Sequence, residues 1–126
     1  MLKEGIMQKL AKREEQIMQA CWRLGAAFIK EIIAELPDPK PHYNSVATMV
    51  RILEDKGFLG HETFGNTFRY FPVISKEQYQ KHAMEDIVAK YFNSSYPSML
   101  AYFAKEQRLS QEELNEILEI TKSQKK

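Results

Sequence analysis

A polar face follows residues 44–55 at the spacing of an α-helix. Asn44, Thr48, Arg51 and Asp55 lie on this face, and Ser45 and Ala47 lie at its edges. The residues expected to read bases are Asn44, Ser45, Thr48 and Arg51. Short polar side chains let a helix approach the major groove of DNA closely, and an arginine can donate two hydrogen bonds to guanine. Because many amphipathic helices carry a polar face only for contact with water, the elements around this segment must decide between the two interpretations.

Two predicted helices precede this segment. Apolar residues recur at helical spacing over residues 12–24 and again over residues 28–36, and a proline-rich loop prevents the second helix from continuing. The polar segment has an apolar face of its own, formed by Val46, Met49, Val50 and Leu53. The helix is predicted to begin near Asn44 or Ser45, both good N-cap residues, and to end at Gly57.

A β-hairpin is predicted directly after this helix. Residues 58–64 and 67–72 are β-rich and flank Gly65-Asn66, a pair suited to the positive φ angles of a hairpin turn. Strand alternation predicts that most of three aromatic residues pack against the helices rather than stack on bases, and these are Phe68, Tyr70 and Phe71. The polar residues expected to contact the phosphate backbone or the minor groove are Asn66, Thr67 and Arg69.

The order of two amphipathic helices and a hairpin is typical of a winged helix-turn-helix. We therefore predict a DNA-binding domain over residues 10–74, in a chain that is mainly α with a small β-hairpin wing. Capping boxes at residues 75–78 and 110–113 predict three further helices over residues 75–123, the second of them ending near Gln107. Roughly fifty residues form a poor core alone, so this helical region is predicted to join two subunits. Its expected dimerisation residues are Ile87, Val88, Tyr91, Leu100, Phe103, Leu114, Ile117 and Leu118.

The overall composition argues against several other classes of protein. The net charge is +1 over 126 residues, so any contact with DNA must come from local placement of charge. No apolar run is long enough for membrane insertion, and the single cysteine, Cys21, suits a reduced cytoplasm as a buried hydrophobic residue. The histidines are far apart and no catalytic motif is present, so no metal, cofactor or enzyme activity is expected; they are His42, His61 and His82.

Several segments resemble the penicillinase and methicillin-resistance repressors, the BlaI/MecI family. The first helix resembles the opening helix of that family through Leu10, Glu14, Ile17, Met18 and Trp22. The further similar segments are, in chain order, Lys30–Ile32, Ser45–Met49, Leu53–Gly57, Arg69–Pro72 and Met99–Ala104. Their order and spacing are specific, and the resemblance covers nearly the whole chain.

The resemblance implies a homodimeric cytoplasmic repressor that binds a palindromic operator in double-stranded DNA. For the β-lactam-responsive members, it also implies a membrane-bound metalloprotease sensor as a partner and cleavage of the tail at an asparagine–phenylalanine bond. The corresponding pair here is Tyr102-Phe103, whose missing asparagine counts against the same route of induction. The copper-responsive members carry a C-terminal cysteine cluster that this tail lacks, and Ala47 stands where some members have an arginine.

We therefore expect a dimeric transcriptional repressor that is released from its operator by an inducing signal. The alternative is a winged helix that binds another protein and has no operator. The acidic Glu54 and Asp55 favour that alternative, whereas DNA binding is favoured by the cationic side chains Lys40, Arg51 and Arg69. The operator sequence, the regulated genes and the inducing signal do not follow from the sequence.

Overall fold

The computed structural model describes residues 9–106 and 108–124, which form six helices and one hairpin. In chain order the elements are α1 (Lys12–Leu24), α2 (Ile29–Glu35), α3 (Tyr43–Asp55), β1 (Leu59–Phe64), β2 (Thr67–Pro72), α4 (Lys76–Tyr91), α5 (Tyr96–Lys105) and α6 (Gln111–Gln124). The predicted fold class, mainly α with a two-stranded hairpin, is confirmed. The predicted end of α5 near Gln107 lies outside the described residues, and α5 itself ends at Lys105.

The chain divides into two compact units between Ala83 and Met84. This division lies inside α4, later in the chain than the predicted domain boundary at residues 74 and 75. Tyr79 explains the difference, because its buried ring lies 5.9 Å from Phe58 and 5.8 Å from Trp22 between ring centroids. The first turns of α4 therefore pack with the N-terminal unit.

The apolar faces of α1, α2 and α3 and the base of the hairpin form the core of the N-terminal unit. α3 packs against α1, α2 and β1. The fully buried side chains include Ile17, Met18, Cys21, Ile32, Val46, Val50, Leu53 and Phe58. Burial of each large apolar side chain stabilises the fold by about 1.5–3 kcal/mol before the loss of conformational entropy is counted.

α3 begins one to two residues earlier than the sequence predicts. Its N-cap is His42, which makes no side-chain capping hydrogen bond, and Asn44 and Ser45 both lie within the first turn. The amide of Val46 donates to the carbonyl of His42 at 3.1 Å, which closes that turn. Since Val46 is buried, packing rather than a polar cap sets the start of the helix, and the predicted N-cap was wrong.

The hairpin pairs β1 with β2 from Leu59↔Pro72 to Phe64↔Thr67. Its turn contains Gly65 at φ 56°, as predicted, whereas Asn66 does not have a positive φ. Ala27, between α1 and α2, exchanges two backbone hydrogen bonds of 2.8 Å with Tyr70, so the hairpin is joined to the helices through its second strand.

The prediction that most wing aromatics pack against the helices is wrong. Tyr70 is buried at the base of the hairpin, but Phe68 is 44% exposed and Phe71 is 36% exposed. Phe68 lies nearer the turn, where its ring stacks on His61 at 4.3 Å, and Phe71 covers Gly60. Tyr70 belongs to the hydrophobic core, whereas Phe68 packs on a side chain of the hairpin itself.

Both predicted capping boxes, at the starts of α4 and α6, are confirmed. At α4 the two reciprocal bonds between Ser75 and Gln78 measure 2.8 and 3.0 Å, and those between Ser110 and Glu113 are equally short. Val88, which the sequence places among the dimerisation residues, is 1% exposed within the single chain. Its side chain is therefore buried within the single chain, which counts against its predicted place on a dimerisation surface. No helix among the described residues is long and apolar enough to cross a membrane.

A nearly buried ion pair connects α1 to the end of α3. The ammonium of Lys56 donates to the carboxylate of Glu14 at 2.9 Å, and that carboxylate also accepts the amide of Ala11 at 2.9 Å. Burial alone would raise the pKa of Glu14, but these hydrogen bonds and the positive charge of Lys56 lower it below its ordinary value. The carboxylate is thus ionised in the folded state, and it holds the C-terminal end of α3.

Replacing Lys56 with Met is expected to lower the free energy of unfolding by about 1–3 kcal/mol at neutral pH, because the buried carboxylate loses its charged donor. The folded pKa of Glu14 lies below its unfolded pKa, so its stabilisation is present above the unfolded value and is lost as the pH falls through the folded one. Urea unfolding at about pH 7 and about pH 3 should therefore show a smaller difference between the variant and the wild type in acid. Lys12→Met, at an exposed lysine of α1, is the control. An equal loss at both pH values would contradict the role given to Glu14.

Candidate nucleic-acid interface

α3 carries its polar residues on the side opposite the core. Val46, Val50 and Leu53 are buried, whereas the side chains predicted to read bases are all exposed: Asn44, Ser45, Thr48 and Arg51. One rigid element therefore presents all four of these predicted site residues on the surface of the N-terminal unit. Because the apolar edge of α3 is buried in the core, the polar edge faces outward.

Thr48 and Arg51 differ in the hydrogen-bonding groups that they leave free for a ligand. The hydroxyl of Thr48 donates to the carbonyl of Asn44 at 2.9 Å, so its hydrogen is used and its oxygen remains free to accept. Arg51 has no ion-pair or hydrogen-bond partner among the described residues, and its guanidinium keeps all its donors for an external ligand. Thr48 suits an amino group on a base, and Arg51 suits the acceptors of guanine.

The predicted wing residues fall into two groups. Asn66 and Thr67 are exposed at the tip of the hairpin. Arg69 instead lies opposite Glu62 in the neighbouring strand, 3.8 Å from its carboxylate, and its guanidinium carbon is 5.5 Å from the centroid of the Phe64 ring. The charge of Arg69 is therefore partly compensated, and Asn66 and Thr67 are the less committed of the three predicted contacts.

Most cationic side chains around the interface already have partners. Lys40 donates to the carbonyls of Ala34, at 3.0 Å, and Leu36, so it caps the end of α2. Lys56 and Arg69 pair with carboxylates, as described above. Among the described residues of α2, α3, their loop and the hairpin, Lys30 and Arg51 are left without an ion-pair or hydrogen-bond partner. Lys40, which the sequence presents as a cation available to DNA, is thus bonded within the protein, whereas Lys30, which was not among the predicted contacts, is not.

A histidine–glutamate contact joins the hairpin to α3. Nδ1 of His61 in β1 lies 2.6 Å from Oε2 of Glu54, and the imidazole stacks on Phe68. Glu54, which the sequence presents as an acidic group that disfavours DNA, is thus bound to the wing and partly covered. The contact fixes the base of the wing relative to the polar face of α3.

Cys21, the single cysteine of the sequence, is buried. Burial raises the pKa of the Cys21 thiol to about 12, so the thiolate that would act as a nucleophile is not formed at neutral pH. Among the residues described, no three of the His, Cys, Asp and Glu side chains lie close enough together to hold a metal ion.

Helices α2 and α3, their connecting loop and the hairpin define a winged helix-turn-helix, a class of protein used mainly to bind double-stranded DNA. The penicillinase repressor family model matches residues 10–123, so the chain belongs to that family. The resemblance noted from the sequence is confirmed.

Curated relatives agree with this assignment over nearly the full chain. The penicillinase repressor of Bacillus licheniformis is 28% identical over 122 residues, which cover 93% of this chain and 92% of that protein. The methicillin resistance regulatory protein MecI of Staphylococcus aureus strain N315 is 21% identical over 113 residues, or 89% of this chain and 92% of MecI. A solution structure of monomeric B. licheniformis BlaI in complex with the blaP half-operator is 27% identical, with a TM-score of 0.49 over 58% of this chain and 90% of that one.

His61→Ala is expected to loosen the hairpin, because it removes both the bond to Glu54 and the ring stacked on Phe68. Amide hydrogen exchange in β1 and β2 should become roughly fivefold faster, which corresponds to about 1 kcal/mol. Glu62→Gln is the matched control, since it breaks only the longer surface pair with Arg69 and should change exchange little. Equal effects of the two variants would show that the His61–Glu54 contact does not hold the wing.

Proposed function

We propose that this protein is a transcriptional repressor that binds an operator in double-stranded DNA through α3 and the hairpin. Its family is one of transcriptional repressors and not of enzymes. The observation that carries the proposal is the exposed face of α3, where Arg51 and the short polar residues lie together opposite a fully buried apolar edge.

In the proposed complex, the exposed face of α3 that runs from Asn44 to Arg51 enters the major groove. Arg51 donates to guanine O6 and N7, and the amide of Asn44 can both donate to and accept from adenine. Thr48 accepts from a base amino group because its own hydrogen is bonded to the helix. Asn66 and Thr67 contact the phosphate backbone, which positions the wing but carries no sequence information by itself.

The small supply of free cations favours a dimer as the DNA-binding species. Net charge is +1, and most cations near the interface are paired, so one unit makes few phosphate contacts. Two linked units gain affinity because the second binds at a high effective concentration. A palindromic operator would then place its half-sites about 34–36 Å apart, one turn of the double helix.

The C-terminal unit offers apolar surface for such a dimer. Of the predicted dimerisation residues, four are exposed in the single chain: Ile87, Tyr91, Phe103 and Leu118. Leu100, Leu114 and Ile117 are partly buried, and Val88 is buried. Exposed apolar side chains at this density are typical of a surface that another subunit covers.

Release from the operator is the least constrained part of the proposal. The Tyr102-Phe103 bond, the predicted counterpart of the family's cleavage site, lies inside α5, and the ring of Tyr102 lies 5.8 Å from that of Phe92. A protease of a membrane-bound sensor would have to unfold this helix locally before it could cut the chain. We propose that the repressor acts in the cytoplasm, with induction by such a sensor as one route.

Arg51→Ala is expected to weaken binding to a duplex that the full-length protein has selected from a random-sequence pool by roughly ten- to a hundredfold, because a bidentate base contact is lost. Thr48→Ala should cause a smaller loss. Arg23→Ala removes an arginine of α1 that pairs with Glu35, and it should leave the affinity unchanged. Gel-shift titrations compare the variants. Unchanged affinity in both α3 variants would sink the assignment of α3, and failure of the wild type to select any duplex would sink the proposed function.

Leu118→Lys is expected to weaken self-association at least tenfold, since a charge would enter the apolar surface of the C-terminal unit. Val73→Lys is a matched control, because Val73 in the N-terminal unit is also 58% exposed. Sedimentation equilibrium of both full-length variants measures the dimer dissociation constant. If both variants associate as the wild type does, the C-terminal surface does not hold the dimer.

A further inference from the structure

An open depression lies between α2, the start of α3 and the tip of the wing. Its volume is about 450 Å³, and it is lined by Phe28, Ile29, Lys30, Glu31, Tyr43 and Thr67. Two of the three elements around it are those expected to touch DNA. A ligand in this depression would therefore lie beside the duplex rather than at a separate surface.

The charged groups of the depression are not equivalent. Lys30 is exposed and has no ion-pair or hydrogen-bond partner within the described part of the chain. The carboxylate of Glu31 accepts the amide of Phe28 at 2.9 Å, so it is held at the end of its own helix. Of the two charged side chains, Lys30 is thus the one free to reach a ligand, while the carboxylate of Glu31 is held at the N-terminus of α2, where the helix dipole opposes its charge.

The neutral polar groups of the depression are hydroxyls. Tyr43 is the first residue of α3 and is 47% exposed. Thr67 is exposed where β2 begins. A lysine ammonium is a donor only, and both hydroxyls can donate, so the three side chains together match an anion with several oxygens.

We propose that Lys30, Tyr43 and Thr67 bind one backbone phosphate of the DNA strand that borders the groove entered by α3. The phosphate contact presupposes the DNA binding proposed above and adds to it a part that is independent of sequence. It holds the duplex between α2 and the wing, and it sets the depth and register at which Asn44 and Arg51 meet the bases. Tyr43 would pack its ring against the sugar while its hydroxyl reaches the phosphate.

The test is a salt titration of the full-length protein on two duplexes of equal length. One duplex is selected by the wild-type protein from a random-sequence pool, and the other is an unselected random sequence. Lys30→Ala should weaken binding to both by the same factor, roughly three- to tenfold at about 0.1 M salt, and should reduce the slope of log K against log salt by about 0.9 for each bound chain. Tyr43→Phe and Thr67→Val should each weaken both duplexes slightly and equally.

Control variants distinguish this phosphate contact from the effect of a change in net charge alone. Lys12→Ala makes the same change of charge on α1, which contributes nothing to the depression, and it should keep the wild-type slope. Lys30→Arg should restore binding and slope. Circular dichroism and the melting temperature should be unchanged for all of them, since the substituted side chains are exposed.

Three outcomes would overturn the phosphate site. They are a wild-type salt slope in Lys30→Ala, a loss confined to the selected duplex, and an equal slope change in Lys12→Ala. Each of these leaves the proposed repressor function standing, because the wild-type protein still selects its duplex. Failure of the wild-type protein to select any duplex would instead remove the proposed function, and the phosphate site with it.

Discussion

The burial of one edge of α3 is the constraint on which the rest of the interface depends. Val46, Val50 and Leu53 pack into the core, and this contact sets the rotation of the helix about its own axis. A rotation large enough to turn Arg51 away from the surface would expose these three residues and would cost several kcal/mol. The protein therefore needs no separate device to aim its polar face, because the core already does so.

The elements could be predicted because they follow from local rules. Helical spacing of apolar residues gave α1, α2 and α3, the Gly65-Asn66 pair gave the hairpin turn, and capping boxes gave the starts of α4 and α6. The start of α3 and the boundary of the N-terminal unit were harder to predict from the sequence. Both depend on which residues meet in three dimensions, Val46 in one case and Tyr79 in the other, and no local pattern encodes those contacts.

The polar face of the candidate site could be predicted from the sequence, but which of the cationic side chains have partners within the protein could not. Residue type alone made Lys40 and Arg69 look as free as Arg51, yet the first caps α2 and the second lies against Glu62 and Phe64. Lys30 belongs to a matching family segment and gave no sign that it would remain unpaired. Pairing depends on distances across the fold, which is why it appears only in the structure.

The single tryptophan gives this protein a built-in reporter of one unit. Trp22 lies in α1, where its indole Nε1 donates to the carbonyl of Ile74 at 2.9 Å and its ring lies beside that of Tyr79. All three residues belong to the N-terminal unit. Its fluorescence therefore follows the opening of the winged helix and the first turns of α4. Circular dichroism reports the helices of both units, so a transition seen in circular dichroism but not in the tryptophan signal would mark the unfolding of the C-terminal helices alone.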